Sequence, residues 1–228
     1  MSVAIIDAKA SLALHWEHII YTLARLLPHD LGKPFAADFV ALEKRHAVIE
    51  AGLRNVWRDE IIAQAKVDIV DDELDDATRN LSRELTHLDG DKSPRIKRYF
   101  PKPVSRFTGL GLQTQAQAVA AWPKSLKAEA EPVLKKLAGE FASVLGDATT
   151  ALDGRVAANA ARADYRVRDV LSFIEDHNKL RLATHAGLSI AGAKAGLPRS
   201  FADRFFRRDS RSTSAEEPEG VEESATPT

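Results

Sequence analysis

Between Phe35 and Leu88 the chain repeats with a heptad period for more than fifty residues. Phe35, Phe39, Leu42, His46, Ile49, Leu53, Val56, Glu60, Ala63, Val67, Val70, Leu74, Ala77, Leu81, Glu84 and Leu88 step by alternating fours and threes. That spacing averages 3.5 residues and keeps one seam of a helix facing a partner. No proline lies between Pro34 and Gly90, and Gly52 is the one glycine. A single helix is therefore expected, roughly 80 Å long at ~1.5 Å per residue. Such a helix cannot bury its stripe alone, so the fold class expected is all-α. The architecture read from the spacing is an elongated four-helix bundle rich in coiled-coil contacts, with one very long helix.

The flanking text supports this. A first helix is expected over Val3–Leu27, broken by Pro28, Gly32 and Pro34. After the long helix, Asp89, Gly90, Asp91, Ser93 and Pro94 form a stop, and Lys92–Pro123 reads as irregular with a short helix near Leu112–Ala121. Pro132 suits the first turn of a third helix, for which Gly139, Gly146 and Gly154 are weak points. A last helix is expected over Arg155–Ile190, with a less regular period. From Arg207 onward Ser, Glu, Pro and Thr dominate, so 207–228 is expected to be a disordered polar tail. Residues 1–206 then form the helical domain.

That domain carries an internal echo. Asn80, Arg83 and His87 close the long helix in the same frame in which Asn178, Arg181 and His185 close the last one. Arg98-Tyr99-Phe100 is matched by Arg204-Phe205-Phe206. The reading is an old duplication, with pseudo-repeats roughly at 1–108 and 109–206. The six residues Asn80, Arg83, His87, Asn178, Arg181 and His185 would form a pseudo-symmetric polar face.

Composition excludes some chemistries. The chain has no cysteine among its 228 residues, which rules out disulfides, thiolate nucleophiles and Cys-zinc sites. Its formal net charge of −1 gives no global attraction to polyanions. The first ten residues lack a signal peptide's pattern, and no stretch reaches the ~18 apolar residues of a membrane span. The expected location is cytoplasmic, without membrane contact.

Four constellations invite a chemical reading. Glu43/His46 and Glu84/His87 are Glu-x-x-His pairs, the element that di-iron bundles bring together from different helices. Both lie on one helix here, roughly 60 Å apart, and cannot share a metal. His15 and His18 share a helix face, but no third ligand is evident, so a structural role is favoured. Asp68, Asp71, Asp72, Glu73, Asp75 and Asp76 sit inside a helix and are read as a solvated face, with Asp75 and Asp76 pairing to Arg79. Gly187-x4-Gly192-Ala-Lys194 has the wrong spacing for a phosphate loop and follows a helix. Glu60 and Glu84, acids at seam positions, call for local fraying or an arginine from another helix.

Two basic-aromatic segments remain, 92–107 and 199–211. Arg95, Lys97, Arg98, Lys102, Arg204, Arg207 and Arg208, among Tyr99, Phe100, Phe107, Phe201, Phe205 and Phe206, could hold nucleic acid or another polyanion. Set against this is anchoring of each segment onto its own helices, the favoured reading. No catalytic residue, metal ligand or cofactor is assigned. The expectation is a non-enzymatic scaffold or assembly subunit whose partner is protein, most simply a second copy through Trp57, Ile61 and Ile62. Polyanion binding is the alternative, and a metal-dependent bundle enzyme the weaker one.

Overall fold

The computed structural model describes residue 3 and residues 5–207. Among these it is helical with no strand. The helices are α1 Leu12–Leu26, α2 Lys33–Asp89, α3 Pro94–Tyr99, α4 Leu112–Val119, α5 Trp122–Lys127, α6 Pro132–Tyr165 and α7 Ser172–Lys194. A π-turn over Arg166–Leu171 links α6 to α7, and short 3-10 turns cover Val104–Arg106 and Ala202–Phe205. No described helix is long and apolar enough to cross a membrane. The tail beyond Arg207, with Arg208, lies outside the described residues.

Contacts divide the chain into two units. One runs up to Val48 and resumes at Ser172; the other is Ile49–Leu171. The division falls at two crossings rather than near residue 108, and both α2 and the α6–α7 path contribute to each unit.

Helix α2 is continuous over 57 residues, as the heptad predicts, and ends at Gly90, whose φ of +79° suits glycine at a helix C-terminus. Its buried edge follows the seam through Val67, Val70, Leu74, Ala77 and Leu81. It then slips by one residue. Leu85, not Glu84, is fully buried, and Leu88 is exposed. A straight helix of 3.6 residues per turn drifts off a strict seven-residue repeat, and this slip is that drift.

In the second unit these residues pack on Leu134, Leu137, Phe141, Ala148 and Ala151 of α6. Trp122 closes the core, its ring 5.1 Å from Phe100 and 5.4 Å from Phe141 between centroids. The helix expected to start at Arg155 does not. Instead α6 runs through Gly139, Gly146 and Gly154, and the irregularity appears at Arg166–Leu171. Each interior glycine costs about 1 kcal/mol, which packing of the flanking apolar residues offsets.

The first unit packs Ile19, Leu23 and Leu26 of α1 with Phe39 and Leu42 of α2, Phe173, Ile174 and Leu188 of α7, and Phe201, Phe205 and Phe206. Helix α1 starts at Leu12 rather than Val3, because the Ser11 hydroxyl caps it by accepting from Leu14 N–H. Upstream, Ile6 is buried, and the Asn178 amide holds its backbone at both ends. Asn178 Oδ1 accepts from Ile6 N–H at 3.0 Å and Nδ2 donates to the Ile6 carbonyl at 2.9 Å.

Candidate functional site

The most unusual chemistry lies inside the first unit. His15 and His18 sit on one face of α1, and His177 and Arg181 one turn apart on α7. His15, His18 and His177 are fully buried, Arg181 is 1% exposed, and Thr22 and Thr184 lie beside them in the core. His15 Nδ1 and His177 Nδ1 are 2.9 Å apart. One Nδ1 must carry the proton and the other accept it, so the two rings cannot both be imidazolium. Among the described residues their Nε2 atoms have no hydrogen-bond partner. Arg181 Nη1 lies 2.9 Å from His18 Nδ1. Because arginine only donates, His18 accepts there, and its proton sits on Nε2. His46 Nε2 is 2.9 Å from the Leu12 carbonyl, joining α2 to the start of α1.

Burial, reinforced by the cationic and imidazole neighbours, pulls His15 down to about 4 and His177 to about 3. His15 and His177 are thus neutral beside Arg181, whose guanidinium also lies 5.5 Å from the Phe206 ring centroid. Among the described residues no three His, Asp or Glu side chains are placed to hold a metal ion. The nearest approach to a metal pair, His15 with His177, spends both Nδ1 atoms on each other. What this arrangement does is tie α1, α2 and α7 together by polar bonds inside the core.

Sequence reasoning picked out His15 and His18 but not their partners. The available signal was the face of α7, where His177, Arg181, Thr184 and Leu188 recur at fours and threes.

The basic-aromatic segments divide differently. In 92–107 the aromatics Tyr99, Phe100 and Phe107 surround Trp122. Arg95 bonds Asp89 at 2.9 Å and Glu131 at 2.8 Å, and Arg98 pairs with Glu129. Burial, then the hydrogen bond to Glu129, pushes Tyr99 up to about 12. Two of its four candidate cations, Arg95 and Arg98, are therefore neutralised in place, while Lys97 and Lys102 are exposed. In the C-terminal segment Phe201, Phe205 and Phe206 are buried in the first unit, Arg207 pairs with Glu17, and Arg204 is exposed. Arg25, Arg204 and Arg207 rim two small adjoining cavities of about 270 and 410 Å³.

The proposed pseudo-symmetric face does not comprise two like environments. Arg181 is buried against His18, Asn178 holds Ile6, and His185 Nε2 meets Asp203 at 2.8 Å. Arg83 and His87 are exposed on α2, and Asn80 is half-buried. The physical reason is that α7 is enclosed by α1 and the 201–206 segment, whereas this stretch of α2 turns that face to solvent. Asp75 and Asp76 do pair with Arg79, at 2.8 and 3.0 Å, and Glu60 meets Arg162 of α6.

Comparison with protein-family models, curated proteins and solved structures finds no match.

Proposed function

We propose that this chain is a non-enzymatic interaction protein, a helical scaffold or assembly subunit acting through coiled-coil contacts of α2. The observation that carries this reading is the apolar surface left on α2 in the second unit. Trp57, Ile61, Ile62 and Ile69 are 40 to 57% exposed within thirteen residues. From Ile49 to Lys66 that helix has α6 beside it, through Tyr165, Arg162 and Arg155. One neighbouring helix covers one stripe, and the large apolar residues beyond it mark an association surface. The buried histidines fit this role as internal ties. In this reading α2 and α6 are the coiled-coil pair that presents the surface.

The test is photo-cross-linking in the producing cell, with a benzophenone side chain replacing Trp57 or Ile61 in the full chain. Protein adducts at both positions, and none at exposed Lys102, are expected. Absence of protein adducts at both would overturn the reading. A second reading, polyanion binding, is supported by the Arg25, Arg204 and Arg207 edge. It requires salt-dependent binding of single-stranded DNA or polyphosphate that an Arg25→Ala/Arg204→Ala variant loses.

A further inference from the structure

We propose that the occupant of this surface is a second copy of the chain, docked antiparallel on α2 about a two-fold axis near Ala65. The inference rests on the interaction reading and narrows it to one partner. Asn55, Arg58, Ile62, Ala65, Ile69 and Asp72 step by threes and fours, and every one is exposed. They form a second heptad stripe on the same helix, displaced from the buried seam. Solvent alone gives no reason for two isoleucines to recur at that spacing. Ile62 and Ile69 also rim a groove of about 660 Å³ between α2 and α6. Gly154 lines the opposite wall, and a Cβ there would meet nothing within 4 Å. The groove thus has room for an apolar side chain from outside.

Charge selects the partner and its direction. On the C-terminal side of Ile69 lie Asp71, Asp72, Glu73, Asp75 and Asp76, to which Arg79 supplies neutralisation only at Asp75 and Asp76. Crowding within this run supports that view, since burial and then Asp75, Asp72 and Asp68 raise the Asp71 carboxyl. On the N-terminal side of Ile62 the stripe carries Arg58, with no ion pair among the described residues. An antiparallel two-fold lays the Arg58 end of one copy over the Asp72 end of the other, twice. A parallel pairing would set acid on acid. The stripe is therefore self-complementary, as an isologous interface requires. From Asn55 to Asp72 it spans about 26 Å of helix at ~1.5 Å per residue.

Sedimentation equilibrium on the full chain tests this. Wild type is expected to pass from monomer to dimer with a micromolar Kd. Ile62→Gln/Ile69→Gln should weaken dimerisation at least tenfold with unchanged helical circular dichroism, since both side chains are exposed. Arg58→Asp and Asp72→Arg should each weaken it about tenfold, near 1.4 kcal/mol, and the combined swap should restore it. A monomeric mass up to about 100 µM, well above micromolar affinity, would overturn the proposal. So would a dimer indifferent to the Gln pair, or a swap that fails to rescue. A strict monomer that still cross-links another protein through Trp57 would remove self-docking and leave the interaction reading in place.

Discussion

Gly52 of α2 lies against Tyr165 at the end of α6. A Cβ there would overlap the Tyr165 hydroxyl and the ring carbon that bears it. To make room the ring would swing away and break the bond from its O–H to the Ile49 carbonyl, now 3.1 Å. Overpacking costs ~1–3 kcal/mol and the lost bond ~1, against ~1 gained in helix propensity. Gly52→Ala should therefore lose about 1–3 kcal/mol in urea unfolding. In a Tyr165→Ala background the same change should turn neutral or stabilising; additivity of the two would show that the ring is not the obstacle. The histidines make a second residue-scale prediction. His15 and His177 have folded pKa values of about 4 and about 3, below the ordinary 6.5. The unfolded chain then binds more protons, so stability is full above pH 6.5 and falls as pH drops toward 4. Each unit of depression corresponds to ~1.4 kcal/mol. Unfolding free energies at pH 7, 5.5 and 4.5 should show this slope. A His177→Gln variant, weaker at pH 7, should show a shallower one.

At the scale of elements, α2 is the most exacting object in the fold. Pro at Val56 removes a helical hydrogen bond and clashes with the preceding turn, at ~3 kcal/mol or more. An unchanged melting temperature and helical signal for Val56→Pro would count against a continuous helix. The same helix shows how far the sequence could be read. Its ends were legible within two residues, because Pro34 and Gly90 bracket an apolar repeat that only a helix satisfies. Glu60 was legible in part: an acid at a seam position called for local fraying or an arginine from another helix, and Arg162 supplies the arginine. The slip from Glu84 to Leu85 was hidden, because a strict heptad and a drifting straight helix differ only once several turns accumulate. The run of α6 through Gly154 was hidden for another reason. Glycine's helix penalty is local, while what overrides it, contact with Val67, Val70 and Leu74, comes from residues remote in sequence. The polar core failed likewise. His15 and His177 are 162 positions apart, and no spacing rule links them. The Arg181 and Arg83 echo misled, because equal local text can lie on a covered face or an open one.

At the scale of the molecule, the two units differ in how they are strung. The second is one uninterrupted stretch, Ile49–Leu171, whereas the first is assembled from the two ends of the chain. The acid sensitivity of the imidazoles belongs to the first alone. Hydrogen exchange at pH 4.5 should therefore quicken in α1 and α7 before it quickens in the α2–α6 core around Leu74 and Phe141. Equal acceleration in both would contradict that assignment. The stringing also sets a timetable during synthesis. When the ribosome has delivered Leu171, everything the second unit needs is present, while His15, His18 and Ile6 still lack His177, Arg181 and Asn178. Domains fold as units while the chain emerges, and closing so long a loop adds an entropic cost that grows slowly with its length. A chain ending at Leu171 should hence protect 49–171 from protease while residues 5–48 are cut. Residues 5–48 are thus made well before the α7 residues that bury them, so a stall short of His177 would leave α1 waiting in solvent for its partner.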